Sequence, residues 1–160
     1  MAAKRNLSGI TFKATMAQIS VPASSANIGP GFDFFGLALE IRDRYAAQVL
    51  DDEIFDVDVT GEGADQVKKD SKNLVIKSMM RGFEHMGAKP RGIALRALNV
   101  IPHGRGLGSS ASAIVGGLAL GGALMAPIAA KLVAKLPRKQ LAILVGIAII
   151  VINGLRIIQG

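Results

Sequence analysis

Ten residues, Pro102-His103-Gly104-Arg105-Gly106-Leu107-Gly108-Ser109-Ser110-Ala111, constrain this chain more than any other stretch. Before them, residues 92–100 (GIALRALNV) read as a strand. After them, Ser109 opens a run of small and apolar residues that reads as a helix to about Met125. Three glycines at alternate positions let the backbone turn tightly and come close to a ligand. Ser109 and Ser110 fall where the first N–H groups of a helix point outward, at the positive end of its dipole. The segment therefore reads either as a phosphate cradle or as a plain Gly-rich corner between a strand and a helix. No Lys precedes the Ser pair, so it is not a Walker A loop. The Gly-x-Gly-x-Gly spacing is not the dinucleotide fingerprint either.

The rest of the chain supplies mixed elements. Residues 16–21 read as a strand, and Ala23 to Gly31 as a small-residue loop. Residues 34–41 and 45–50 read as two short extended segments. Residues 54–59 alternate Ile54, Asp56 and Asp58 with Phe55, Val57 and Val59, which is strand periodicity with one wet face. Gly61-Glu62-Gly63 ends that strand with turn chemistry. Asn73 is placed to cap a helix running to about Met86, with Val75, Met79, Phe83 and Met86 at helical spacing and Gly87 after it. Strands in unequal runs mixed with helices predict an α+β fold rather than a doubly wound sheet.

Composition removes whole classes of function. Without Cys there is no disulfide framework, thiolate zinc site, iron–sulfur ligation or Cys nucleophile. The two histidines, His85 and His103, do not make a metal cage. Lys4 and Arg5 have no apolar run behind them, so the start is not a secretory signal. The net charge of +7 is uneven. Residues 1–125 hold 14 Lys and Arg against all 12 acids. Residues 126–160 hold Lys131, Lys135, Arg138, Lys139 and Arg156 and no acid, and Glu84 is the last carboxylate side chain. No aromatic residue lies in the basic tail, which argues against nucleic-acid binding.

A second loop, Pro22-Ala23-Ser24-Ser25-Ala26-Asn27-Ile28-Gly29-Pro30-Gly31-Phe32-Asp33, joins small residues to Asn27 and Asp33. It suits a pocket for a small polar substrate, or a surface turn in which both side chains bond their own backbone. This segment, followed by Gly36-Leu37-Ala38-Leu39, resembles the first motif of homoserine kinases. Pro102 to Ala113 resembles the second motif of the same superfamily, the GHMP small-molecule kinases. The two lie about 80 residues apart, and the resemblance covers residues 16–124. It implies a GHMP-kinase N-terminal domain over 1–125, with a ribosomal-protein-like mixed sheet carrying helices. It implies a cytoplasmic enzyme of threonine biosynthesis that moves the γ-phosphoryl of ATP to the hydroxyl of L-homoserine. Pro102, Gly104, Arg105, Gly106, Leu107, Gly108, Ser109, Ser110 and Ala111 would then hold the triphosphate. The Ser110 hydroxyl would face Mg²⁺, and Asn73 would lie by the adenine. Asn27 and Asp33 would contact homoserine, Asp33 being also the candidate catalytic group.

The chain departs from that family near Gly121–Met125. The family's third Gly-rich motif and its later His and Arg residues for the homoserine carboxylate have no counterpart here. With no acid after Glu84, neither has the Glu that ligates Mg²⁺ from the helix after the second motif. These departures predict a weak or inactive kinase, with a non-catalytic anion-binding half-domain as the alternative. Residues 126–160 instead resemble the end of a sulfite-exporter-type membrane permease. They divide into a basic linker over 126–140 and a hydrophobic helix over 141–158. Leu141 to Ile152 is uncharged, and about 20 residues are needed to span a bilayer. That helix is expected either in or on a membrane or packed against the kinase half, and the whole would be a fused or chimeric chain.

Overall fold

The computed structural model describes residues 16–26, 29, 34–134, 146, 147 and 149. Its elements in chain order are β1 (Met16–Ala26), β2 (Gly36–Leu50), β3 (Phe55–Gly61), α1 (Leu74–His85), β4 (Gly92–Asn99) and α2 (Ser109–Ala134). The four strands form one sheet in the order β1-β2-β4-β3. β1 pairs antiparallel with β2, β2 antiparallel with β4, and β3 parallel with β4. The parallel pair needs a crossover, which α1 supplies. The chain divides into two units, Met1–Met125 and Ala126–Gly160. Pro127 lies inside α2 close to that division, where it cannot donate a bond to the Ala123 carbonyl. Of the expected linker over 126–140 and helix over 141–158, residues 126–134 belong to α2, residues 135–140 and most of 141–158 lie outside the described residues, and Gly146, Ile147 and Ile149 are helical.

Three expectations change. β1 does not end before Ala23. Its small residues continue pairing, Ser24 to Ala38 and Ala26 to Gly36, after a register shift between Pro22 and Ser24. Pro22 is tolerated because β1 is an edge strand. β2 is one strand of 15 residues rather than two segments, since Arg42 and Arg44 point outward while Asp43 turns inward. α2 runs past Met125 to Ala134.

One face of the sheet is covered. Val21, Tyr45, Ala47, Val49, Val59, Ile93 and Leu95 are buried on it, together with Ile76, Met79 and Phe83 of α1 and Leu120 and Leu124 of α2. α1 sits there because its apolar residues recur at helical spacing. The Asn73 side chain caps it by accepting from Val75 N at 2.9 Å. Gly87, with φ +75°, ends it, its N–H donating to Glu84 O at 3.0 Å. The opposite face is wet, and there Arg96 Nη2 pairs with Asp56 Oδ2 at 2.6 Å.

α2 is held close by its glycines. A Cβ on Gly116 would lie 2.6 Å from the Tyr45 ring. One on Gly117 would lie 2.5 Å from the Val75 carbonyl and 2.7 Å from Ser78 Cβ. The span Ser109–Ile128 is long and apolar enough to cross a membrane by length and composition. Its buried stripe of Ser112, Gly116, Gly117, Leu120, Gly121 and Leu124 is that of a core helix against the sheet and α1.

Two outcomes follow. Gly117→Ala is expected to cost about 1–3 kcal/mol from overpacking. Gly122→Ala, which faces open space, is expected to gain about 0.5–1 kcal/mol. Denaturant midpoints of the two variants check the pair. The Arg96 guanidinium holds the Asp56 carboxyl below its ordinary range. The pair's contribution is therefore present above the ordinary carboxylate range and lost as pH falls through the lowered value. The difference in Tm between wild type and Asp56→Asn should be small at pH 7 and shrink below about pH 4.

Candidate functional site

The segment between β4 and α2 carries the site. Gly104, Gly106 and Gly108 have φ of +68°, +72° and +72°, a region L side chains avoid. A Cβ on Gly104 or Gly106 would meet nothing within 4 Å, so both backbones face open space. Gly108 is different: a Cβ there would lie 2.7 Å from Ser24 Oγ and 2.8 Å from Ser24 O. Ser24 N also donates to Leu107 O at 3.1 Å, so the end of β1 is laid against the loop.

Ser112 N donates to Gly108 O at 2.8 Å, the first bond of α2. The N–H groups of Ser109, Ser110 and Ala111 then have no carbonyl four residues back within the helix. They are dipole-assisted donors for an anion.

Beside this helix start lies a cavity of about 330 Å³. Gly104, Ser109, Ser110 and Asn73 all line it, with Lys68, Lys72, Asn99 and His103. Of the residues the sequence singles out, Gly104, Ser109, Ser110 and Asn73 are thus brought to one cavity. Pro102, Arg105, Gly106, Leu107, Gly108 and Ala111 belong to the loop and first turn without lining that cavity, and Arg105 is exposed. Asn27 and Asp33 lie outside the described residues.

The basic turn ahead of α1 is a built structure. Lys72 N donates to Asp70 Oδ1 at 2.7 Å, and Asn73 N to Asp70 O at 3.0 Å. Asn73 Nδ2 donates to Lys68 O at 2.7 Å. Both ends of the Asn73 amide are thus engaged in shaping the turn and capping α1. Lys68 and Lys72 are carried to the cavity as a result. The sequence signal for them was the basic run Lys68-Lys69 and Lys72 immediately before the cap, which composition alone did not tie to the loop. His103 fits under the turn after β3 because Gly63 has no side chain to exclude its ring.

Among the described residues no group of three or more His, Asp or Glu could hold a metal ion. Among the described residues the protein thus offers a phosphate-bound cation no acidic cluster, and Ser110 lines the cavity at the start of α2. Such a cation would take most of its ligands from phosphate and water. Asp43 also lines the cavity, but its oxygens are taken by protein donors.

Comparison with known proteins places this geometry. The homoserine kinase of Streptomyces coelicolor is 43% identical over 112 residues, which is 70% of this chain and 36% of that one. The homoserine kinase of Mycobacterium tuberculosis is 48% identical over 104 residues, 65% of this chain and 33% of that one. The chain therefore spans about a third of the length of these relatives. Among solved structures, the homoserine kinase of Cytophaga hutchinsonii superposes with a TM-score of 0.61 at 28% identity, covering 73% of this chain and 38% of that one. A putative homoserine kinase of Listeria monocytogenes superposes at 0.54 with 31% identity, over 69% of this chain and 37% of that one. The family described as GHMP kinases N terminal domain matches residues 73–153, from the cap of α1, through the glycine loop and past Met125. The chain belongs to the GHMP kinase N-terminal domain family.

Proposed function

We propose that this chain is the nucleotide-binding part of a homoserine kinase, acting in the cytoplasm on ATP and L-homoserine. The observation that carries the reading is the open, left-handed glycine loop at the start of α2, beside a cavity lined by Lys68 and Lys72. The names of the relatives supply the acceptor. In this reading the N–H groups of Ser109 to Ala111 and the two lysines hold the phosphates of ATP. The Ser110 hydroxyl faces Mg²⁺, and Asn73 walls the adenine. Asn27 and Asp33 contact homoserine. Its hydroxyl oxygen attacks the γ-phosphorus, the bond to the β–γ bridging oxygen breaks, and the hydroxyl proton leaves to solvent or to Asp33.

Positioning and charge neutralisation supply most of the rate in such transfers. α2 carries no carboxylate for the metal, and losing one fixed electrostatic contact costs about 10²–10³ in rate. The 160-residue chain should therefore bind ATP yet turn over far below one per second. Homoserine-dependent ADP formation with excess Mg²⁺ measures this, and a turnover of about one per second would overturn it.

The second reading concerns residues 126–160, a permease-like apolar segment at a membrane. It is favoured by the absence of acids and by Ile147 and Ile149, 56% and 54% exposed. Recovery of the whole chain from the soluble fraction after carbonate extraction would remove it.

Variants separate the roles within the loop. Gly108→Val should lower both Tm and ATP affinity, because its side chain meets Ser24 of β1. Arg105→Ala should leave Tm unchanged and alter affinity by only a few-fold, since Arg105 is exposed. Lys68→Ala with Lys72→Ala should weaken ATP by about tenfold or more at low salt and less at high salt. Calorimetric titration at two ionic strengths checks all three.

A further inference from the structure

Asp43, Tyr45 and Ser112 form a buried polar chain that the phosphate chemistry leaves unused. They are 1%, 2% and 2% exposed. Asp43 Oδ1 accepts the N–H groups of Val100 at 2.7 Å and Ile101 at 2.9 Å, the two residues before Pro102. Asp43 Oδ2 accepts the Tyr45 hydroxyl at 2.9 Å. Tyr45 has one proton and places it there, so at 3.1 Å the Ser112 hydroxyl donates to the Tyr45 oxygen. Burial pushes the Tyr45 phenol well above its ordinary range, which keeps that proton in place. Ser112 is also the residue whose N–H closes the first bond of α2 onto Gly108.

A buried carboxylate beside an anion site is unfavourable on charge grounds unless donors meet it. Three do, and each leads to the glycine loop: two to its entry and one, through Tyr45, to its exit. The loop itself cannot set its own shape. Its three left-handed glycines have the largest backbone entropy of any residue, and at two of them an added Cβ would meet nothing within 4 Å.

We propose that Asp43, Tyr45 and Ser112 are positioning residues for this loop, clamping both its ends to β2 so that the free N–H groups at the start of α2 converge on one phosphate. Fixing the ends in advance removes ordering entropy from the binding step. The inference rests on the reading of the loop as a phosphate site, and its test separates the two.

Two quantities are read on the 160-residue chain: amide hydrogen exchange without ligand, and ATP affinity by calorimetry. Tyr45→Phe keeps the ring and removes only the bridge. It should speed exchange of the amides from Val100 to Ser112 by about tenfold, leave those of α1 and β3 unchanged, and weaken ATP by a similar factor. Ser112→Ala should do the same, and the double variant should be no worse than either single one, since both remove one interaction. Asp43→Asn retains an acceptor for Val100 and Ile101 and should keep most of the affinity that Asp43→Ala loses. Uniform acceleration over the whole chain, or undiminished affinity in Tyr45→Phe, would overturn the proposal. Should wild type bind no ATP, the reading of the function fails, and the local exchange pattern alone decides whether the clamp exists.

Discussion

The depth at which α2 sits governs the rest of the structure. A helix brings a useful N-terminus to a site only if its axis is fixed, and this one is fixed by absence of side chains. Gly116 lies against the Tyr45 ring, and Gly117 against the backbone of α1. The same contact sets where Ser109 and Ser110 open and how far Lys68 and Lys72, on the turn before α1, stand from them. Any added methyl on that stripe would push α2 from the sheet and α1 together, so stability and the anion site share one determinant.

Asn73 shows how one residue can serve fold and site at once. Its oxygen caps α1 and its amide nitrogen ties down Lys68, so the start of α1 and the placement of a cavity lysine are a single event. The glycine loop is organised in the opposite way. It is free along its middle and tied at its ends, by Asp43 at Val100 and Ile101 and by Ser24 at Leu107.

The parts of the molecule readable from sequence are those written locally. α1 was legible because Asn73, the apolar period and Gly87 follow one another within 15 residues, and the loop because its glycines alternate before a Ser pair. β2 was not, since Arg42-Asp43-Arg44 looks like a break, and two of the three donors that meet the inward Asp43 carboxylate lie 57 and 58 residues away. The extension of β1 through Ala26 was hidden for the same reason: Ser, Ala and Pro signal a loop, and only the partner strand makes them extended. Lys68 and Lys72 went unassigned because a basic run carries no mark of what it will face. The match to the family past Met125 and the basic, acid-free composition of that region come from different kinds of observation, and both stand.

The strand order has a consequence for how the chain is made. β4 lies between β2 and β3 in the sheet yet is synthesised after both, with α1 in between. Until Asn99 has left the ribosome, β1 and β2 can close as a hairpin, but β2 keeps one row of backbone donors and acceptors unpaired, and β3 has no neighbour at all. Those edges are templates for wrong pairing, and the long sequence separation of the correct pair slows its arrival. The hazard of aggregation is thus concentrated in a window of synthesis that opens with β2 and shuts with β4.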